Sequence, residues 1–266
     1  ITDNNGCINN QSITLTEPNA ALSANISGQN ILCYGDNTGS VSLIVNGGTQ
    51  PYSYLWSNGA TTLNLTNVTA GIYSVTITDN NGCTYNQSIT LTEPPELICS
   101  VTGTNLTISG QPTGAIDLDV NGGFGTYNYL WTGPGGPYTT ADLSNLSAGI
   151  YSVIVTDDNN CTTTCNIIIT EPSLLTCSVS GVNILCNGNN TGTINLTLAG
   201  GVSPYSYLWN NGAATPNLTG LAAGIYSVTI TDNNGATTNC NITLTEPNTA
   251  LSANISGQNI LCYGDN

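Results

Sequence analysis

The sequence predicts an all-β chain built as a tandem array of small two-sheet sandwiches. The first observation is an internal repeat. PYSYLWSNGATT, AGIYSVTITDNNG and SITLTEP in Pro51–Thr92 return as TYNYLWTGPGGPYTT, AGIYSVIVTDDNN and NIIITEP in Thr126–Thr170, and as PYSYLWNNGAAT, AGIYSVTITDNNG and NITLTEP in Pro204–Thr245. The second is an alternation of apolar and polar residues with period two, without any segment of helical period. The third is a turn signal of Gly, Asn, Asp or Pro closing each alternating run.

In the first complete repeat, Ala21–Ser27 with Ile31–Cys33 reads as one kinked first strand. Ser40–Asn46 alternates Val41, Leu43 and Val45 with polar residues and is followed by the turn Asn46-Gly47-Gly48. Tyr52, Tyr54 and Trp56 share one face of the next strand, and Ser57-Asn58-Gly59 turns the chain. Thr61–Thr66 is a short strand carrying Leu63 and Leu65. Tyr73, Val75 and Ile77 alternate after Ala70-Gly71, and Asp79-Asn80-Asn81-Gly82 is a hairpin turn because Asn and Gly accept positive φ. Ile89 and Leu91 mark the last strand. About seven short strands per repeat result, the number expected of an immunoglobulin-like sandwich. A Trp in mid-strand and a Tyr opening the penultimate strand after a Gly (Tyr73, Tyr151, Tyr226) fit that fold, with the Tyr placed as a corner tyrosine. These aromatics read as core.

Trp56, Trp131 and Trp209 are 75 and 78 residues apart, and Glu17, Glu93, Glu171 and Glu246, each followed by Pro, are spaced by 76, 78 and 75. The domain organisation is therefore 1-18, the end of a truncated repeat; 19-94, 95-172 and 173-247, three immunoglobulin-like repeats of about 76 residues; and 248-266, the start of another. Ala21–Asn37 recurs unchanged as Ala250–Asn266, an offset of 229, so three unlike repeats form a block that itself begins to repeat. The sequence reads as a window on a longer polypeptide. Pro fixes its own φ and disfavours helix before it. The short Glu-Pro joints therefore predict an extended rod.

Composition sets the function classes. There is no Lys, Arg or His against 15 acidic residues. Without cations to meet phosphates, nucleic-acid binding is excluded and docking on an anionic membrane is disfavoured. No apolar run reaches about 18 residues, so no membrane insertion is expected in this segment. Repeats this small bury little surface and gain from cross-links. Ten cysteines without His or CxxC pairs point to disulfides and an oxidising, extracellular compartment.

Comparison among the repeats suggests which cysteines pair. Five residues after the Glu-Pro proline stand Ser23, Cys99 and Cys177; six before the next Glu stand Gln87, Cys165 and Cys240. The two sites gain and lose Cys together, which predicts Cys99–Cys165 and Cys177–Cys240. Each closes a loop of about 65 residues, contributing about 3–4 kcal/mol if chain entropy dominates. A second pair of sites holds Cys33, Ser109 and Cys186, and Cys83, Cys161 and Ala236. The first repeat has both cysteines, so Cys33–Cys83 is expected. Cys161 and Cys186 remain for an inter-domain or inter-chain bond, and Cys7 and Cys262 fall in truncated repeats.

No enzyme is expected. The chain lacks an imidazole or amine base, a cationic oxyanion stabiliser and a partner for a thiol nucleophile. No cofactor is expected either, with calcium as the one candidate. Asp117-Leu118-Asp119-Val120-Asn121-Gly122 matches half of an EF-hand loop, but Asn128 stands where the bidentate Glu is required. Asp79, Asp157 and Asp232 in the hairpin turns, and Glu93, Glu171 and Glu246 at the joints, are further calcium candidates.

The strings C-x-G-x-x-T-G-S-V, GG-x-x-PYSYLWSNGATT, AGIYSVTITDNNGC and TEP together resemble the SprB repeat. The second repeat departs from the pattern at Ser109 and Thr132–Tyr138, and the third at Ala236. The resemblance implies repeated immunoglobulin-like domains of very large cell-surface proteins of Bacteroidetes, gliding adhesins among them, with export through the outer membrane and no catalytic residues. The expected function is a structural segment of a long extracellular bacterial surface fibre or adhesin, acting as a disulfide-braced stalk. Alternatives are a self-assembling multi-chain extracellular filament subunit, and a glycan-binding module using Tyr34, Tyr85 and Tyr138. The expected partners are other repeats of the same chain, identical chains in a filament, or surface polysaccharide.

Overall fold

The computed structural model describes residues 1–16 and 20–257. All regular structure among them is β. The first repeat contains β1 (Ser23–Gln29), β2 (Gly39–Asn46), β3 (Ser53–Trp56), β4 (Leu65–Val68), β5 (Gly71–Thr78) and β6 (Thr84–Leu91). They form two antiparallel sheets, β1-β2-β4 and β3-β5-β6. The second repeat follows with β7 (Ile98–Thr104), β8 (Gly114–Asn121), β9 (Asn128–Thr132), β10 (Leu143–Leu146), β11 (Gly149–Thr156) and β12 (Thr162–Ile169). The third has β13 (Thr176–Val182), β14 (Gly192–Ala199), β15 (Ser206–Trp209), β16 (Leu218–Leu221), β17 (Gly224–Thr231) and β18 (Thr237–Leu244). Their sheets repeat the order of the first: β7-β8-β10 and β9-β11-β12, then β13-β14-β16 and β15-β17-β18. This is an immunoglobulin-like arrangement, with first, second and fourth strands on one side and third, fifth and sixth on the other.

The chain makes two compact units. One comprises Ile1–Ser100, Asp119–Leu130 and Ile154–Cys165; the other comprises Val101–Leu118, Trp131–Val153 and Asn166–Asn266. In the first, the period-two pattern buries Val41, Leu43, Trp56, Val75, Ile77 and Leu91 between the sheets. In the second, Ile194, Trp209, Val228, Ile230 and Leu244 do the same. Removing apolar surface of this kind from water contributes about 25 cal/mol per Å². Each buried Trp also satisfies its polar edge: Nε1 of Trp56, Trp131 and Trp209 donates to the carbonyls of Thr62, Thr140 and Thr215 at 2.8, 3.0 and 2.9 Å. The hydroxyls of Tyr73, Tyr151 and Tyr226 donate to the carbonyls of Thr69, Ser147 and Ala222, four residues back, at 2.9, 2.9 and 3.1 Å. That bond fixes the corner before the fifth strand.

Each described repeat has six strands, where the sequence suggests about seven. Residues 30–33 leave the first strand. Ile31 N–H bonds the carbonyl of Thr92, and the Asn30 side chain accepts Thr92 N–H, so this segment turns toward the end of its own repeat. The fourth strand begins only at Leu65, because Thr62 is held in a bend by Trp56 and by its own hydroxyl bond to the Asn64 carbonyl. A register shift interrupts its pairing, and Asn67 takes φ 57° there. Asn145 and Gly220 occupy the same place with φ 56° and 69°, residue types that tolerate the left-handed region.

Candidate functional site at the repeat joints

The hairpin between the fifth and sixth strands is built on a buried aspartate. Asp79 is 4% exposed; Oδ1 accepts the N–H groups of Asn81 and Cys83 at 3.0 and 2.8 Å, and Oδ2 accepts that of Thr49 at 3.0 Å. Asp157 does the same for Asn159, Cys161 and Phe124, and Asp232 for Asn234, Ala236 and Val202. Thr49 N–H is the main cause holding the Asp79 carboxyl below its ordinary value; burial opposes it, and Cys83 and Asn81 add to it. For Asp232, burial pushes the carboxyl up, but the N–H groups of Val202, Ala236, Asn234 and Gly235 outweigh it and the net shift is downward. The exposed neighbour Asp158 is also lowered, by the N–H and hydroxyl of Thr126.

At the other end of each repeat, the loop after the first strand is clamped by the Glu of the Glu-Pro pair. The N–H groups of Gly35, Gly110 and Gly188 donate to Oε2 of Glu93, Glu171 and Glu246 at 2.7, 2.6 and 2.7 Å. Asn30, Asn105 and Asn183 brace the same junction by accepting the N–H groups of Thr92, Thr170 and Thr245. The Glu-Pro motif is thus more than a strand terminator, a role invisible in the sequence because its partner lies about 60 residues away.

Loop and turn meet between successive repeats. Asn159, in the hairpin of the second repeat, donates through Nδ2 to the carbonyl of Leu32 in the loop of the first at 2.8 Å. Asn234, in the hairpin of the third, donates to the carbonyl of Thr107 in the second, also at 2.8 Å. Each pair lies inside one compact unit. At the first of these joints Cys33 and Cys161 form a disulfide with Cα atoms 5.6 Å apart. The expected Cys33–Cys83 bond is absent, and Cys83 is an exposed thiol. Geometry forbids it. The Cys33 loop follows the Gln29–Ser40 end of the β1–β2 pair, whereas the Cys83 turn is tied through Thr49 to the Ser23–Asn46 end. A strand of this length separates them by about 25 Å, against the roughly 7 Å limit for a disulfide. Cys161 therefore makes an inter-repeat bond, while Cys186 is an exposed thiol, as is Cys7; Cys262 lies outside the described residues.

Two further bonds lie within repeats: Cys99–Cys165 joins β7 to β12, and Cys177–Cys240 joins β13 to β18, with Cα separations of 6.1 and 6.2 Å. Strand register corrects one alignment. Ser23 faces Asn46 as Thr176 faces Ala199, so Ala24, not Ser23, stands where Cys177 does. The joint before the first repeat is one residue longer, which misleads a count from the proline. In that repeat Gln87 Nε2 donates to the Ala24 carbonyl at 3.0 Å, a hydrogen bond at the place of the disulfide. The same correction applies at the loop. Cys33 lies two residues before the clamped Gly35, and the residue two before Gly110 is Ile108, so Ile108 and not Ser109 occupies the Cys33 position.

The calcium candidates are placed as follows. Asp117 and Asp119 stand on the exposed face of β8, alternating with buried Ile116 and Leu118. The turn aspartates spend both carboxylate oxygens on backbone N–H groups, and Glu93, Glu171 and Glu246 each hold a loop glycine. Among the described residues no three His, Cys, Asp or Glu side chains converge. No helix among them is long and apolar enough to cross a membrane.

Two stretches of the chain, residues 25–61 and 178–214, match the SprB repeat family. No curated protein matches. Solved structures with similar backbones include the N-terminal four immunoglobulin domains of Dscam1 isoform 6.9, at 11% identity over 86% of this chain and 74% of that one, TM-score 0.29. They also include the N-terminal eight immunoglobulin domains of Down Syndrome Cell Adhesion Molecule isoform 1.30.30, at 10% identity over 85% of this chain and 48% of that one, TM-score 0.33.

Proposed function

We propose, from the premise that this chain carries SprB repeats, that it is a stalk segment of a long extracellular bacterial surface fibre or adhesin, each sandwich a spacer that carries load to the next. The observation that carries the reading is the covalent joint. Cys33–Cys161 couples one repeat directly to its neighbour, so force passes through sulfur rather than through the Glu-Pro linker alone. The disulfides fit an oxidising, extracellular setting. The side chains named at the joints are spent on holding backbone, and the chain lacks His, Lys and Arg, which favours a mechanical role over a catalytic one.

Electron microscopy of the native fibre under non-reducing conditions, with chains counted per cross-section, tests this. Single thin strands studded with a bead per repeat are expected. A regular lateral array of several chains overturns the stalk reading in favour of a self-assembling filament.

A further inference from the structure

The exposed thiols Cys83 and Cys186 occupy, residue for residue, the two halves of the joint disulfide seen between Cys33 and Cys161. On the turn side, Cys83 N–H is held by Oδ1 of Asp79 at 2.8 Å, as Cys161 N–H is held by Oδ1 of Asp157 at 2.9 Å. On the loop side, the Cys186 carbonyl accepts Asn189 N–H at 3.1 Å, as the Cys33 carbonyl accepts Asp36 N–H at 3.1 Å. Two residues further on, Gly188 and Gly35 are clamped by Glu246 and Glu93 at the same 2.7 Å. Both thiols are thus presented on backbone already shaped for the bond. We propose that Cys186 forms a disulfide with the turn cysteine of a following copy of the first repeat, at the position that Cys83 holds in the first.

The partner follows from the sequence. Ala250–Asn266 repeats Ala21–Asn37 without change, so the repeat after the third opens as the first does, and the first carries Cys in its Asn-Asn-Gly-Cys turn at Cys83. Of the three joints in each period of the array, two are then bonded and one is not. The first is bonded through Cys33–Cys161, the second has Ile108 and Ala236 at the matching positions, and the third is bonded between blocks. Bond formation removes two protons and two electrons from the two thiols. A protein or small-molecule disulfide accepts them by exchange and leaves as two thiols. The inference concerns connectivity alone, and its outcome is independent of whether the fibre is a stalk.

Non-reducing peptide mapping of the intact native protein tests it. Free thiols are alkylated first, and cleavage is with chymotrypsin, after Tyr, Trp and Leu, because the chain has no Lys or Arg and the Glu of each joint is followed by Pro. The expected result is a cross-linked species uniting residues 74–85 with residues 186–196 through the cysteines at positions 83 and 186, in material that runs as single chains on non-reducing gels. Recovery of Cys83 and Cys186 alkylated before reduction overturns the proposal. So does linkage of Cys186 to any cysteine outside a hairpin turn, or a cross-link that joins separate chains.

Discussion

The joint after the first repeat and the joint after the second share one contact and differ in one pair of side chains. Asn159 reaches the Leu32 carbonyl, and Asn234 the Thr107 carbonyl, both at 2.8 Å. Only the first joint adds a disulfide; the second has Ile108 and Ala236 at those positions. Because the hydrogen bond recurs at the same length without sulfur, the approach of loop to turn is set by backbone. The buried aspartate shapes the turn and the Glu-Pro glutamate shapes the loop. The disulfide locks an approach already made, which lets the array vary its covalent coupling without altering the repeat.

Removing the lock is the largest expected perturbation. Cys33→Ser with Cys161→Ser opens a loop spanning 128 residues, while Cys99–Cys165, which starts inside that loop and ends beyond it, remains. The loop that stays open costs about 4 kcal/mol of stability by chain entropy. Pulled by its ends under non-reducing conditions, the variant extends on the order of 200 Å further than the parent, at roughly 3.3–3.6 Å per released residue. Urea unfolding followed by Trp fluorescence and single-molecule extension both read this. An unchanged midpoint and contour length would show that the bond carries no load.

The converse change asks whether backbone alone presets the joint. Ile108→Cys with Ala236→Cys places thiols at the positions of Cys33 and Cys161, on a joint that already holds its Asn234 contact. Spontaneous oxidation is expected, leaving the number of titratable thiols equal to that of the parent and raising stability by about 2–4 kcal/mol. Two additional reactive thiols would mean that the second joint differs from the first in shape.

The sandwich was legible because it is local: alternation marks the strands, and Gly, Asn and Asp mark the turns. Within-repeat cysteines can be matched by comparing repeats, since Cys99 with Cys165 and Cys177 with Cys240 replace Ala24 and Gln87 together. The joint was not legible for two physical reasons. Its two halves belong to different repeats, so comparison inside one repeat pairs Cys33 with Cys83, at opposite ends of a strand. A one-residue difference in joint length also shifts Ser109 into the place that Ile108 occupies. The clamps by Glu93, Glu171 and Glu246 and the reach of Asn159 and Asn234 depend on partners about 60 and 127 residues away, beyond any pattern of spacing.

Acid should separate the two joints more gently than mutation. Asp79 and Asp232 titrate lower in the folded chain than the about 3.9 of an unfolded aspartate. Their contribution to stability is therefore fully present above about pH 4 and is lost as pH falls through the folded values, when protonation weakens the grip on backbone N–H groups. Asp232 shapes the turn that carries Asn234, and that joint has no covalent lock. Opening of the turn, read as hydrogen exchange at the amides of positions 234 and 236 relative to the intrinsic rate at each pH, should accelerate below pH 4 in the parent. It should accelerate less in the oxidised Ile108→Cys, Ala236→Cys variant, where the bond holds the turn in place. Equal acceleration in both would show that the turn opens without parting from the loop, making the aspartate a brace of the hairpin and not of the joint.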